Sequence, residues 1–203
     1  MDRYANFDNL MLNARRGIDY RIRLRRGGSG VAILSIHGGD IEPGTTGIAD
    51  AIAGPDHTFY TFEGIKPAGN FALHITSANF DEPSAMEIIC AAETVVSIHG
   101  SAGAAPMVTL GGLDVRLRDR ILQSLRAAGF QAVIATGRRL EGIDRENICN
   151  LCGRGMGVQM EINRGLRARM FRDLTPAGRR FPTAVLDRFC RAVRAAITPD
   201  GAG

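Results

Sequence analysis

The chain has no tryptophan, three tyrosines and a single lysine, Lys66, so nearly all of its positive charge is carried by arginine. So few large aromatics argue against a stacking platform for single-stranded nucleic acid, and the arginines are scattered rather than clustered, so no nucleic-acid partner is expected. No apolar run approaches the ~18 residues of a membrane span. The segment from Met1 to Leu24 carries several arginines but no apolar stretch behind a basic head, so no secretory signal is seen and a cytoplasmic location is expected, with release by lysis if the substrate lies outside the cell. Four cysteines are too few to read as a disulfide framework in a chain of 203 residues. The glycine-rich Gly153-Arg154-Gly155-Met156-Gly157 lacks the lysine and hydroxyl of a phosphate loop, which leaves nucleotide binding unsupported.

A hydrophobic fraction of 45% with 23% charge suits one globular domain over 1–203, with a basic N-terminal segment (1–28) ahead of a core (29–197). Apolar runs at Val31–Ile36, Thr58–Phe62, Thr94–Ile98, Gln131–Ala135 and Val158–Ile162 read as strands, with a further short one at Leu73–Thr76. Helices are expected at Thr45–Ala53, between Pro43-Gly44 and Gly54-Pro55, and at Pro83–Ala92. Two more follow the helical spacing of Leu113, Leu117, Ile121, Leu122 and Leu125, and of Val185, Phe189, Val193 and Ile197. Thr136–Gly157 reads as a long loop. Strands alternating with helices give an α/β layer architecture, in which ligands gather at the C-terminal ends of the strands.

Two of those ends carry the same tetrapeptide, Ser35-Ile36-His37-Gly38 and Ser97-Ile98-His99-Gly100, each glycine marking the exit into a loop. Two histidines and one acid make the ligand set of a catalytic zinc with a position left for water. Two acids stand near the first histidine, Asp40 and Glu42, and spacing alone does not choose between them. Glu161, in an apolar run, is a costly place for a charge; it reads equally as a general base and as the partner of Arg164 or Arg167. His57, beside Pro55-Asp56, reads as a surface turn residue. His74 is placed in the core, on the rim of the site, or behind a ligand that it orients. Cys149-Asn150-Leu151-Cys152 has metal-site spacing but no second pair, and a structural role is the stronger reading.

An ordered series of segments resembles the phage-type poly-γ-glutamate hydrolase family: Ser35–Gly39, Ile41–Thr45, Phe62-Glu63-Gly64, Leu73–Ser77, Phe80–Pro83, Ser97–Gly100, Gly111–Asp114, Asn147–Asn150, Gly157–Ile162 and Gly165-Leu166-Arg167. The resemblance spans roughly Leu34 to Arg167. It implies a zinc carboxypeptidase-like α/β fold, with a mixed parallel and antiparallel sheet flanked by helices, and a zinc-dependent hydrolase that cleaves γ-glutamyl amide bonds. It further implies one zinc ion held by His37, Glu42 and His99, with Glu161 as the catalytic glutamate; the reading of the residues keeps His74 behind a ligand. Because each residue of such a substrate bears a free α-carboxylate, Asn147, Asn150, Arg154 and Arg167 are candidates for binding it. Asp40 stands where related sequences are expected to have glycine. Two other readings remain: a zinc peptidase or amidase acting on another γ-glutamyl or peptidoglycan peptide, and a non-catalytic polyanion-binding module. The oligomeric state is left open.

Overall fold

The structure, a computed structural model, describes residues 2–137 and 140–198. Among the described residues seven strands form one sheet: β1 (Tyr20–Arg25), β2 (Val31–Gly39), β3 (Thr58–Gly64), β4 (Thr94–Ser101), β5 (Met107–Gly111), β6 (Gln131–Ile134) and β7 (Val158–Asn163), in the order β1-β3-β2-β4-β7-β5-β6. β1 is antiparallel to β3 and β5 to β7, while the other pairs are parallel, so the sheet is mixed.

Helices cover both faces. α2 (Thr45–Ala53), α4 (Val115–Ala127), α5 (Arg164–Met170) and α6 (Ala184–Ile197) share one apolar core with Ile33, Val96, Ile98, Met160 and Ile162. On the other face α1 (Phe7–Met11) and α3 (Pro83–Ala91) pack with Leu34, Ile36, Tyr60, Phe62 and Val95. The central strands are apolar on both sides because both sides are covered, and each fully buried large aliphatic side chain adds ~1.5–3 kcal/mol. Helix ends follow local chemistry: Asp114 accepts the Leu117 N–H at 3.0 Å to start α4, and Thr183 accepts that of Val185 at 3.2 Å to start α6. No helix among the described residues is long and apolar enough to cross a membrane.

Several expectations need correction. The N-terminal basic segment is built into the fold: β1 closes the sheet edge, and Tyr4, Phe7 and Leu10 enter the core. Leu73–Thr76 is no strand; a 3-10 turn spans Asn70–Leu73, and the Thr76 N–H and hydroxyl both donate to Asp2 instead of to a ladder. β2 and β4 run on through Gly39 and Ser101, so the histidines lie inside strand ends rather than at loop exits. His57 is buried, its Nδ1 2.7 Å from the Ser29 hydroxyl. Within the expected loop Thr136–Gly157 a 3-10 turn at Ile148–Asn150 is buried, and Arg138 and Arg139 lie outside the described residues.

Candidate metal centre

The twin tetrapeptides do not fold alike. In β4, alternation puts Ser97 and His99 on one face, and the Ser97 hydroxyl lies 2.8 Å from His99 Nε2. In β2 the pairing with β3 shifts register between Ser35 and Gly38, where β2 carries one extra residue. Such a bulge re-aims a side chain, and here it separates Ser35 from His37. Ser35 donates to Thr45 on α2 at 2.9 Å, while His37 turns to the face that carries His99.

The two rings meet with Nδ1 atoms 3.1 Å apart, and Glu42 Oε1 lies 3.3 Å from His37 Nδ1. All three donor atoms fall within 4.8 Å of one another. Ligands ~2.1 Å from a common ion at a tetrahedral angle stand about 3.4 Å apart, so this spacing suits zinc. The outer ring atoms agree. His37 Nε2 donates to the Ile75 carbonyl at 2.8 Å, which leaves a lone pair on Nδ1, and Ser97 can accept from Nε2 of His99 to do the same there. Two such lone pairs facing each other repel unless a cation or a proton lies between them.

Glu42 Oε2 accepts the Gly100 N–H at 2.7 Å, which ties the end of β4 to the turn after β2. Asp40, the other candidate acid, points away and receives Arg179 at 2.7 Å. Without metal, burial pushes Glu42 up, but the charge and hydrogen bond of His37, the His99 charge and the Gly100 N–H together outweigh it, bringing the carboxyl to about 2. Burial and the adjacent His37 push His99 down to about 3. On His37, burial opposes the charge and Glu42 overcomes it, leaving the ring above its ordinary value.

Glu161 lies opposite His99 in the β4–β7 register, on the same face of the sheet. Without metal, burial, and then the charge on Glu42, push its carboxyl up to about 7. Gln159, two residues earlier on that face, donates to Glu161 at 3.1 Å and accepts from Asn147 at 2.9 Å, so a short amide relay fixes the carboxylate. A cleft of about 930 Å³ opens over these groups, with the stretch from Leu140 to Asn147 along one side.

The other expected site residues separate. His74 lines the cleft and stacks on His37 with centroids 3.9 Å apart, its Nδ1 held by Asp2 at 2.8 Å. Asn147 lines the cleft as well. Asn150 does not: its amide group serves the backbone of Leu113, Gly142, Asp144 and Gly157. Arg154 is at the opposite end of β4, paired with Asp114 at 2.9 Å and with the Thr94 hydroxyl at 3.3 Å. Arg167 is buried beneath Gly100 and donates to the carbonyls of Ile162, Pro43 and Ser101, so it ties strand ends together. A Cβ on Gly100 would sit 2.6 Å from its guanidinium carbon, which is why glycine follows His99. Cys149 and Cys152 are buried, and burial pushes the Cys149 thiol up, which suits packing rather than metal binding. Sequence reasoning missed Ser97, Gln159 and Asp2. The first two share a strand face with a site residue two positions on, a spacing that the alternation offered.

The poly-gamma-glutamate hydrolase family model matches residues 4–192. YndL of Bacillus subtilis (strain 168), a UPF0714 protein, is 39% identical over 172 residues, 84% of this chain and 67% of YndL. The SPbeta prophage-derived UPF0714 protein YoqZ of the same organism is 37% identical over 179 residues, 88% of this chain and 65% of YoqZ. The chain thus spans about two thirds of the length of these relatives. Among solved structures, a bacteriophage poly-gamma-glutamate hydrolase superposes with a TM-score of 0.94 at 33% identity, covering 97% of each chain. The zinc-free apo form of YndL superposes with a TM-score of 0.93 at 33% identity, covering 97% of this chain and 98% of that one.

Proposed function

The chain belongs to the poly-gamma-glutamate hydrolase family, and from that premise we propose that it cleaves the γ-glutamyl amide bonds of poly-γ-glutamate with one zinc ion held by His37, Glu42 and His99. The observation that carries the reading is the convergence of two imidazole Nδ1 atoms and one carboxylate, with a second carboxylate, Glu161, opposite His99 on the same face of the sheet. When bound, zinc supplies Lewis acidity, polarising the scissile carbonyl and lowering the pKa of water to ~7.

The chain's own groups do the rest. Ile75 and Ser97 hold the two rings with their Nδ1 atoms inward. Glu161 Oε2, free of the Gln159 bond at Oε1, takes the proton of the attacking water and returns it to the leaving nitrogen. His74 covers one face of His37 and limits solvent there. Asn147 acts chiefly through Gln159 on Glu161. Arg167 sets the relative position of the Glu42 turn and the end of β4, while Asn150 and Arg154 are left out of substrate binding.

The test is zinc content and depolymerisation of poly-γ-glutamate, measured before and after chelation. One zinc per chain, activity lost on chelation and regained on adding zinc back are expected. Full activity of metal-free protein refutes the reading.

A further inference from the structure

We propose that a second cleft, beside the metal centre, binds α-carboxylates of the polymer beyond the scissile bond and supplies much of the affinity for long substrate. This rests on the poly-γ-glutamate reading of the metal centre. The cleft has a volume of about 530 Å³ and lies on the far side of the turn from His37 to Glu42. His37 and Glu42 face the metal centre, whereas Gly39 and Asp40, between them in sequence, face the second cleft.

The two clefts have opposite electrostatic character. Among the described residues the metal cleft is lined by Asp2, Glu42, Glu141, Asp144 and Glu161, and by no arginine or lysine. Carboxylates on such walls disfavour a polymer with one carboxylate per residue, so cations outside the metal cleft would add to its affinity. The second cleft has five: Arg21, Arg23, Lys66, Arg179 and Arg180, against the acids Asp40 and Glu63. Both acids are already engaged, Glu63 by Arg21 and Arg23 and Asp40 by Arg179. Lys66 and Arg180 have no carboxylate partner among the described residues, so their charge is available to a ligand.

The scaffold is also pre-formed. Asn70 is buried; it accepts the Lys66 N–H at 2.8 Å and donates to the Lys66 carbonyl at 2.7 Å, fixing the base of the chain's sole lysine at the rim. Gly39, Gly44, Gly47 and Gly64 leave part of the lining as bare backbone. The first turn of α2 reaches the same space through Thr46 and Gly47, and no side chain caps it. Its positive end adds to the cationic groups. A chain threaded from the metal cleft past the His37–Glu42 turn would set successive carboxylates against these groups, with Lys66 and Arg180 as point contacts.

The test is the charge-reversed double variant Lys66→Glu/Arg180→Glu, assayed zinc-loaded on long poly-γ-glutamate and on γ-linked triglutamate. KM for the polymer is expected to rise about tenfold or more, equivalent to ~1.4 kcal/mol, with kcat and triglutamate kinetics unchanged. The conservative Lys66→Arg/Arg180→Lys variant should keep the wild-type KM. An unchanged polymer KM, or equal losses on both substrates, overturns the proposal. If the unmodified protein cleaves neither substrate, the hydrolase reading fails by itself. The cleft is then judged by fluorescence anisotropy of a labelled γ-linked decaglutamate: about tenfold weaker binding to the charge-reversed variant supports it, and equal binding refutes it.

Discussion

Replacing Glu161 by glutamine separates catalysis from stability and sets them in opposite directions. The native carboxyl stands at about 7 against an ordinary value of 4.5. A carboxyl whose native pKa exceeds its unfolded one holds its proton more tightly when folded. Its favourable contribution is therefore full below about pH 4.5 and is lost as pH rises through 7. At ~1.4 kcal/mol per unit, the buried charge costs metal-free protein up to about 3 kcal/mol at pH 8. Glutamine keeps the volume and stays neutral. Metal-free Glu161→Gln should thus be more stable than metal-free wild type at pH 8 by up to about 3 kcal/mol, or ~6–12 °C in Tm for a chain of this size. At pH 4.5 most of that gain should vanish. Urea unfolding at the two pH values measures it, and the gain should shrink once zinc is bound, because the cation offsets the Glu42 charge that helps raise the pKa. With zinc retained at one per chain, kcat should fall ~10²–10⁴-fold. Equal stability of the two metal-free proteins at pH 8, or full turnover by the variant, refutes the reasoning.

Other tests are simpler. Ser97→Ala strips His99 Nε2 of its partner and should weaken zinc binding ~10–100-fold in a chelator competition titration, whereas Ser35→Ala, which touches no histidine, should leave the affinity unchanged. Arg167→Met leaves three carbonyls without their donor and should lower stability by about 3 kcal/mol in urea unfolding. Burial, and then the Arg194 charge, hold His57 below its ordinary value of 6.5. It contributes stability above ~pH 6.5 that is lost as pH falls toward its native pKa, so a His57→Gln variant should show a flatter acid limb in thermal melts.

The sequence reads well where local chemistry is decisive. Pro43-Gly44 and Gly54-Pro55 bracket α2 at Thr45 and Ala53, as expected. Strict alternation in Val158–Asn163 sets Glu161 on one face of a strand. The strand in the Arg-rich start was legible and missed: Arg21, Arg23 and Arg25 alternate with Tyr20, Ile22 and Leu24, the period-two pattern of a sheet-edge strand that keeps one side in water. The bulge in β2 was not legible at all: identical tetrapeptides suggest identical geometry, and only pairing with β3 breaks the likeness. Arg154 and Asn150 sit close in sequence to Asn147, yet the chain folds back so that only Asn147 reaches the cleft.

The rings of Phe71, His74 and His37 form a column, with centroids 5.3 Å and then 3.9 Å apart, running from an exposed phenylalanine at the cleft rim to the metal-facing imidazole. In a chain without tryptophan this column amounts to an optical channel with no indole background. A Phe71→Trp substitution would place the sole indole against a histidine that leans on the metal-facing ring, so its emission should register events at His37 that have no colour of their own. Zinc is spectroscopically silent, and this stack offers a way to time its arrival and departure in solution.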